Sequence, residues 1–320
     1  MSRSEKLEIQ RAFSPNWKIL EHLRNCFLSE DFSPESYWKN AEVLAQYDFT
    51  FAQRIGWKWD SVIRELKETP SLQSLESVTL IDWGCGTGVA TRKFLEHLGP
   101  GFVKKIILMD KSHLACRFAQ ESILKKYPEV KIETTLSTID QEKRVLLVSH
   151  VLNELSPAAE KELLSLIETA DLVIWVEPGT PASSSRLIEY RERFRKIFSV
   201  LAPCPHQETC GLLKLKNTPH WCHFFAAPPG QIFQDSFWSE FSKRLQIDLR
   251  ALPTSFLVLG KAPPRSMGTK RLMGRARHYK GYSLALVCAE TAVSEEKLLK
   301  RDKKHIIDII DKKRFTTWIP

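Results

Sequence analysis

No stretch of this 320-residue chain approaches the ~20 consecutive apolar residues that a membrane span needs, so no spanning helix is expected. The N-terminal MSRSEKLEIQRAF carries acidic residues and no apolar core. Neither a signal peptide nor a transit peptide is expected there, and the reading is cytoplasmic. Internal repeats and low-complexity tracts are missing, which excludes repeat arrays. Cysteine is scarce: seven residues, an odd number. That is too few for a disulfide-stapled scaffold and argues for a reducing compartment, where clustered thiols more often bind metal. The apolar 43% and charged 27% are those of an ordinary globular protein, long enough for one large domain and an accessory. Acids are outnumbered by bases, giving a net charge of +9 that suits an anionic partner without singling one out.

What is present falls into three parts. Residues 1–74 read as helical, with an apolar pattern from Tyr37 through Val43, Leu44, Tyr47, Phe51 and Ile55 to Leu66. Trp38, Trp57 and Trp59 read as its packing residues. Residues 75–290 alternate short apolar runs with helical stretches. VTLIDWG, KKIILMD, KIETTLS, RVLLVSH and DLVIWVEPG read as strands, and Ala90 to Leu98, His113 to Lys126 and Pro157 to Thr169 as helices. Such alternation predicts βαβ units and a mostly parallel α/β sheet. SFLVLGK and YSLALVCAE complete seven strands, the number of the class I methyltransferase architecture, a Rossmann-like sheet. Residues 291–320, lysine-rich, read as a helix and tail.

LIDWGCGTGVATRKFL places Asp82, Gly84, Gly86 and Gly88 between a strand and a helix. The glycines allow a tight turn and bring backbone N–H groups close to a ligand. A pyrophosphate turn would read G-x-G-x-x-G, whereas this one is G-x-G-x-G with an acid two residues before it. In class I methyltransferases that pattern cradles the amino-acid part of S-adenosylmethionine. Asp110, closing KKIILMD, has the spacing of a ribose-binding acid. Cys85 reads as a small filler. The fourth strand lacks the (Asp/Asn)-Pro-Pro-aromatic loop of many nitrogen methyltransferases. It ends instead in VSHVLNEL, where His150, Asn153 and Glu154 are polar, and no catalytic residue is named.

Between about residues 200 and 235 lies an insertion without helical or strand periodicity. APCPHQETCGLLKLKNTPHWCHFF holds three of the seven cysteines among prolines and histidines. Cys204, Cys210 and Cys222, with Cys288 at the end of the last strand pattern, fit either a tetrahedral zinc site or a [4Fe–4S] cluster. His206, His220 or His223 could replace one thiolate in the zinc case. Having few backbone hydrogen bonds of its own, the loop is expected to use a metal as its local core. Cys26 and Cys116 read as packing residues.

SHVLNEL, WVEPGTP, APCPH…C…WCHF and RLMGRARHYKGYSLALVC, following a G-x-G-x-G turn, resemble the mitochondrial small-ribosomal-subunit methyltransferase-like family and its bacterial relatives. The resemblance covers roughly residues 40 to 290. It implies a class I methyltransferase-like protein with a [4Fe–4S] cluster, acting in assembly of the small ribosomal subunit on its rRNA and proteins. It implies Cys204, Cys210, Cys222 and Cys288 as cluster ligands and Asp82 through Gly88 as the cofactor turn. Gly211 departs from the pattern, standing where a proline is expected, and the interval to Cys222 is longer. Finally, Lys261 to Lys280, KAPPRSMGTKRLMGRARHYK, contains no acid and reads as a basic loop between two strands, suited to RNA phosphates.

Overall fold

A computed structural model describes residues 13–29, 38–67, 72, 75–136, 142–215, 219–264, 270–290, 292–301 and 318–319. The N-terminal helices are α1 (Trp17–Leu28), α2 (Ala41–Phe49) and α3 (Phe51–Lys67). Asn16 and Asn40 cap the first two, each side chain accepting an N–H of its helix's first turn. The single periodic pattern from Tyr37 to Leu66 becomes two helices because Thr50 interrupts it. Its hydroxyl donates to the Gln46 carbonyl at 2.6 Å, in competition with the backbone ladder. Helix α3 is buried nearly all round, including Trp57, Lys58, Trp59 and Glu65.

The main sheet contains β1 (Val78–Trp83), β2 (Val103–Met109), β3 (Ile132–Glu133), β4 (Arg144–Ser149), β5 (Leu172–Pro178), β6 (Ser199–Ala202), β7 (Phe224–Ala226) and β8 (Leu252–Gly260). Its order is β3-β2-β1-β4-β5-β8-β6, with β7 also paired to β8. β1 to β5 are parallel, and β8 runs antiparallel to β5, β6 and β7. This is the mixed seven-strand path of the class I methyltransferase fold. Helices α4 (Val89–Leu98), α5 (His113–Leu124), α6 (Pro157–Thr169) and α7 (Pro181–Phe194) form the connections after β1, β2, β4 and β5, and α8 (Ser236–Leu245) precedes β8. β1, β4 and β5 are buried almost throughout, as strands covered on both faces are. The chain reverses its direction of travel between β1 and β4, and at such a switch point the carboxyl ends of the strands open a crevice.

Three expectations change. The seventh strand is β6, inside the cysteine-rich insertion, and not Tyr282–Cys288. The latter is β10 of a second sheet, ordered β11-β10-β9-β12, with β9 at Lys270–His278, β11 at Val293–Leu299 and β12 at Trp318–Ile319. The hairpin explains it: Tyr279 N–H donates to the Tyr282 carbonyl at 2.8 Å, and the two flanking strands satisfy one another. The segment expected as a basic loop is therefore partly strand β9, and residues 265–269 lie outside the described residues. The start of the expected C-terminal helix is likewise strand β11, because β10 offers it a pairing edge; residues 302–317 lie outside the described residues. No helix among the described residues is long and apolar enough to cross a membrane.

Candidate functional site

The glycine turn follows β1 directly. Gly84, Gly86 and Gly88 all have positive φ, at 69°, 51° and 75°, conformations that disfavour any side chain. A Cβ on Gly84 would lie 2.6 Å from the Val151 side chain, and one on Gly88 3.0 Å from Ala119. A Cβ on Gly86 would meet nothing within 4 Å, so this residue faces open space. The turn is tied to the end of β2. Gly84 and Cys85 donate N–H bonds to the Met109 carbonyl at 2.8 and 3.0 Å, and Gly86 N–H donates to Asp110 Oδ2 at 2.9 Å. Asp110 Oδ1 accepts from Ser112 N–H at 2.9 Å. Each Asp110 oxygen keeps a lone pair for a ligand hydroxyl. Burial raises its pKa, against these two bonds.

Asp82 is placed differently. It is wholly buried beneath the turn, and Oδ2 accepts from Thr91 Oγ1 at 2.7 Å and Thr91 N–H at 3.3 Å. Its Oδ1 is buried with no hydrogen-bond partner. Burial raises its pKa to about 6. Asp82 thus clamps the N-terminus of α4 and offers one orphaned acceptor. Cys85 is buried, as a filler would be.

A cavity of about 250 Å³ opens over this end of the sheet, lined by Gly84, Asp110, Trp38, Trp83, Val151 and Glu154 among others. A larger depression, about 500 Å³, is lined by Lys214, Leu215, Pro219 and His220 on one side and by Leu286, Val293, Ser294 and Glu295 on the other. It is far more open and has no glycine turn, so the smaller cavity is the better ligand site. The orphaned Asp82 oxygen, the open space over Gly86 and the half-used Asp110 carboxylate fit S-adenosylmethionine. Of the polar residues after β4, Glu154 lines the cavity, Asn153 is exposed, and His150 turns away to Lys58, with Nε2 3.1 Å from the ammonium nitrogen. Lys58 escaped the sequence reading because its partner lies 92 residues away.

The insertion is held by α7 more than by itself. Arg191 Nε donates to Cys204 Sγ at 3.1 Å, and its Nη2 donates to the carbonyls of His206 and Glu208 at 3.1 and 2.8 Å. Arg195 bonds the Gln207 carbonyl and Thr209 Oγ1, and Glu192 accepts from Cys210 N–H at 3.0 Å. Ser184 Oγ accepts from Cys222 N–H at 2.9 Å. These bonds from α7 fasten the loop independently of the metal expected as its local core. Cys204, Cys210, Cys222 and Cys288 lie within electrostatic reach of one another, and Cys288 Sγ is 3.7 Å from His206 Nε2. Burial, then neighbouring thiols, pushes Cys222, Cys210 and Cys288 upward, so without a cation these stay protonated. Among the described residues, no three His, Cys, Asp or Glu side chains are arranged to hold a metal ion. Cys116 is buried and Cys26 half-buried, both apart from this group. Gly211 has a packing reason to be glycine: a Cβ would come within 2.9 Å of Val293 N.

The family model described as mitochondrial small ribosomal subunit Rsm22 matches residues 46–307. Among solved structures, the magnesium protoporphyrin IX methyltransferase of Synechocystis PCC 6803, determined with bound S-adenosylmethionine, is 12% identical. The alignment covers 76% of this chain and 97% of that one, with a TM-score of 0.41. The N-methyltransferase NodS of Bradyrhizobium japonicum WM9 is also 12% identical, covering 77% and 99%, with a TM-score of 0.37. At these identities the likeness concerns the fold alone. No curated protein matches the chain.

Proposed function

The chain belongs to the Rsm22 family, and on that premise we propose that it is an S-adenosylmethionine-binding, methyltransferase-like protein of small-ribosomal-subunit assembly. The observation that carries the cofactor reading is the Gly86–Asp110 bond, which couples the open glycine of the turn to the ribose acid at the cavity wall. Asp82, Gly84, Gly86, Gly88 and Asp110 form the cofactor site, with Asp82 acting through α4. Calorimetry tests it: wild type binds S-adenosylmethionine with micromolar-range affinity, whereas Gly86→Arg and Asp110→Ala bind weakly or not at all. Equal binding by all three would move the pocket elsewhere.

The same reading assigns Cys204, Cys210, Cys222 and Cys288 to a structural [4Fe–4S] cluster. A single zinc ion with Zn–S bonds of ~2.3 Å would need its sulfurs about 3.8 Å apart, by tetrahedral geometry. A cubane spaces its four thiolates more widely, one per iron, and needs no histidine. The four thiols within electrostatic reach of one another support a shared metal group, and the choice of the cubane over zinc follows the resemblance of the cysteine pattern. The absorption spectrum with iron and sulfide content of anaerobically purified protein tests it. A colourless, zinc-loaded protein would overturn the iron assignment.

Small-subunit rRNA and its proteins are the proposed partners, in a cytoplasm reducing enough to keep seven free cysteines unpaired. One observation favours a second reading, a non-catalytic assembly factor that uses the cofactor for stability: His150, at the end of β4, has its Nε2 engaged by Lys58 and does not line the cavity. Transfer of a labelled methyl group to small-subunit rRNA separates the two.

A further inference from the structure

The second sheet uses its two faces differently along its length. Residues directly opposite on neighbouring strands share a face. Leu272 stands opposite Val287 in the β9–β10 pair, and with Ala285 and Leu298 they make a small core of their own. On the other face Arg271, Met273 and Cys288 are buried, the last two in the main core. That face emerges from the protein toward the hairpin. Arg277 stands opposite Leu284 there, and Leu284 opposite Lys297 of β11. Alternation puts Tyr279 and Tyr282 on the same face, one on each side of the turn. Arg277 and Lys297 are exposed, Leu284 and Tyr282 are half-buried, and Tyr279 is 42% exposed.

The side chains at this end are ordered. Tyr279 and Tyr282 lie ring on ring, their centroids 4.8 Å apart and their planes 15° from parallel. The Lys297 ammonium sits 4.3 Å from the Tyr282 centroid. Tyr282 thus has two partners, whereas among the described residues Tyr279 has no ring or cation partner besides Tyr282. Charge here is one-sided: between residues 270 and 301, Lys and Arg number eight and acids three. Glu296 pairs with Lys270, and Glu295 with Arg277 and, at 3.7 Å, with His220. The third acid, Glu290, lies beyond the far end of β10. Among the described residues neither Lys280, in the turn, nor Lys297 has an ion-pair partner. Further back on β9, exposed Arg275 lies over the Phe225 ring at 4.5 Å, a second cation set on an aromatic face.

We propose that the hairpin end of this face is a platform for unpaired RNA: a base stacks on the open side of Tyr279, and Lys280 and Lys297 take the flanking phosphates. Every base has a π face, but in a duplex those faces are stacked on one another, so an exposed ring beside cations suits a single strand. An acidic protein segment would satisfy the lysines and leave the ring without a partner. The proposal rests on the small-subunit reading for the source of the RNA, not for its chemistry.

The test uses the full chain, a labelled single-stranded oligoribonucleotide carrying one 2-aminopurine, and the duplex of the same sequence. Tyr279→Leu keeps an apolar contact with Tyr282 and removes the aromatic face; Tyr279→Trp enlarges that face. Anisotropy should show the single strand bound about tenfold more weakly by Tyr279→Leu, with an unchanged salt slope, and at least as tightly by Tyr279→Trp. Lys297→Met should instead lower the log–log salt slope by about 0.7. Quenching of 2-aminopurine at saturation, the spectroscopic sign of stacking, should persist in Lys297→Met and vanish in Tyr279→Leu. If Tyr279→Leu disturbs the hairpin, Tyr279→Trp and Lys297→Met still carry the test. Equal binding by wild type and Tyr279→Leu, or a duplex that competes as well as the strand, would overturn the platform. An oligoglutamate peptide bound more tightly than the strand would give the face to an acidic protein instead. Tyr279-dependent binding with no preference for small-subunit rRNA would sink the ribosomal reading and leave the platform standing. Tight binding of that rRNA, identical in Tyr279→Leu, would do the reverse.

Discussion

Arg271 was expected in a basic loop suited to RNA phosphates and is instead one of the most buried side chains of the protein. Its guanidinium makes a forked pair with Glu65 of α3, the two side chains being 1% and 2% exposed. Phe224 of β7 and Trp318 of β12 flank it at 4.4 and 4.5 Å. This one contact joins the second sheet to the helix that covers the first. Arg271→Met removes the forked guanidinium partner of a buried carboxylate and should cost about 3–5 kcal/mol, most of it the loss of Glu65's buried counter-charge. At roughly 2 °C per kcal/mol for a chain of this size, Tm should fall by about 6–10 °C. Glu65→Met leaves the guanidinium without its counter-charge and should cost a similar amount. The double variant Glu65→Met/Arg271→Met removes both charges and keeps the volume. It should return to within about 1 kcal/mol of wild type, a coupling of several kcal/mol between neighbours. Urea unfolding of the four proteins in one buffer measures the cycle. Single variants costing less than about 1 kcal/mol would mean that the pair behaves as an exposed one. A double variant as unstable as the sum of the singles would mean that packing, not charge, holds the sheets together.

Stability should also depend on pH in a distinctive way. Burial raises Glu177 to about 7 and Asp82 to about 6, so their contribution is full below pH ~4 and is lost as pH rises through 6–7. Lys58, lowered to about 7 by burial, acts oppositely, adding stability as pH climbs from there toward 10. Unfolding free energy should therefore pass through a trough near neutrality, with Glu177→Gln flattening the acid side and Lys58→Met the alkaline side; unchanged profiles would refute the burial argument. For the thiols, Ser at Cys204, Cys210, Cys222 or Cys288 should abolish the brown chromophore and bound iron, and Ser at Cys26 or Cys116 should change neither. For RNA, Arg275 lies over the Phe225 ring at 4.5 Å and Arg277 pairs with Glu295 at the surface. Replacing both by Ala should lower the salt slope of rRNA binding by about two, and an identical slope would assign that face to solvent.

What was legible in the sequence was local. The glycine turn, its strand and Asp110 are fixed by neighbours a few residues apart, and Gly84, Gly86 and Gly88 announce their positive φ by being glycine. The cysteine group was visible because thiols are scarce. What holds its loop was not, although Arg191 on α7 and Arg195 at its C-cap, four apart with Glu192 between them, were a signal that the insertion would be fastened from outside. Strand partners were illegible. Tyr282–Cys288 alternates as a sheet strand should, but nothing in that alternation says that β9 claims it and leaves the main sheet to β6. Buried charge was the hardest to read. Glu65 and Arg271 are 206 residues apart, and a run of bases looks the same whether water or a carboxylate faces it. Lys58 was no easier: it stands between the buried Trp57 and Trp59 on a helix that also carries exposed Arg64 and Lys67, and nothing in the sequence says which of these bases faces inward. Inside the fold it meets His150 Nε2 at 3.1 Å and the field of Glu177, and burial lowers its pKa to about 7.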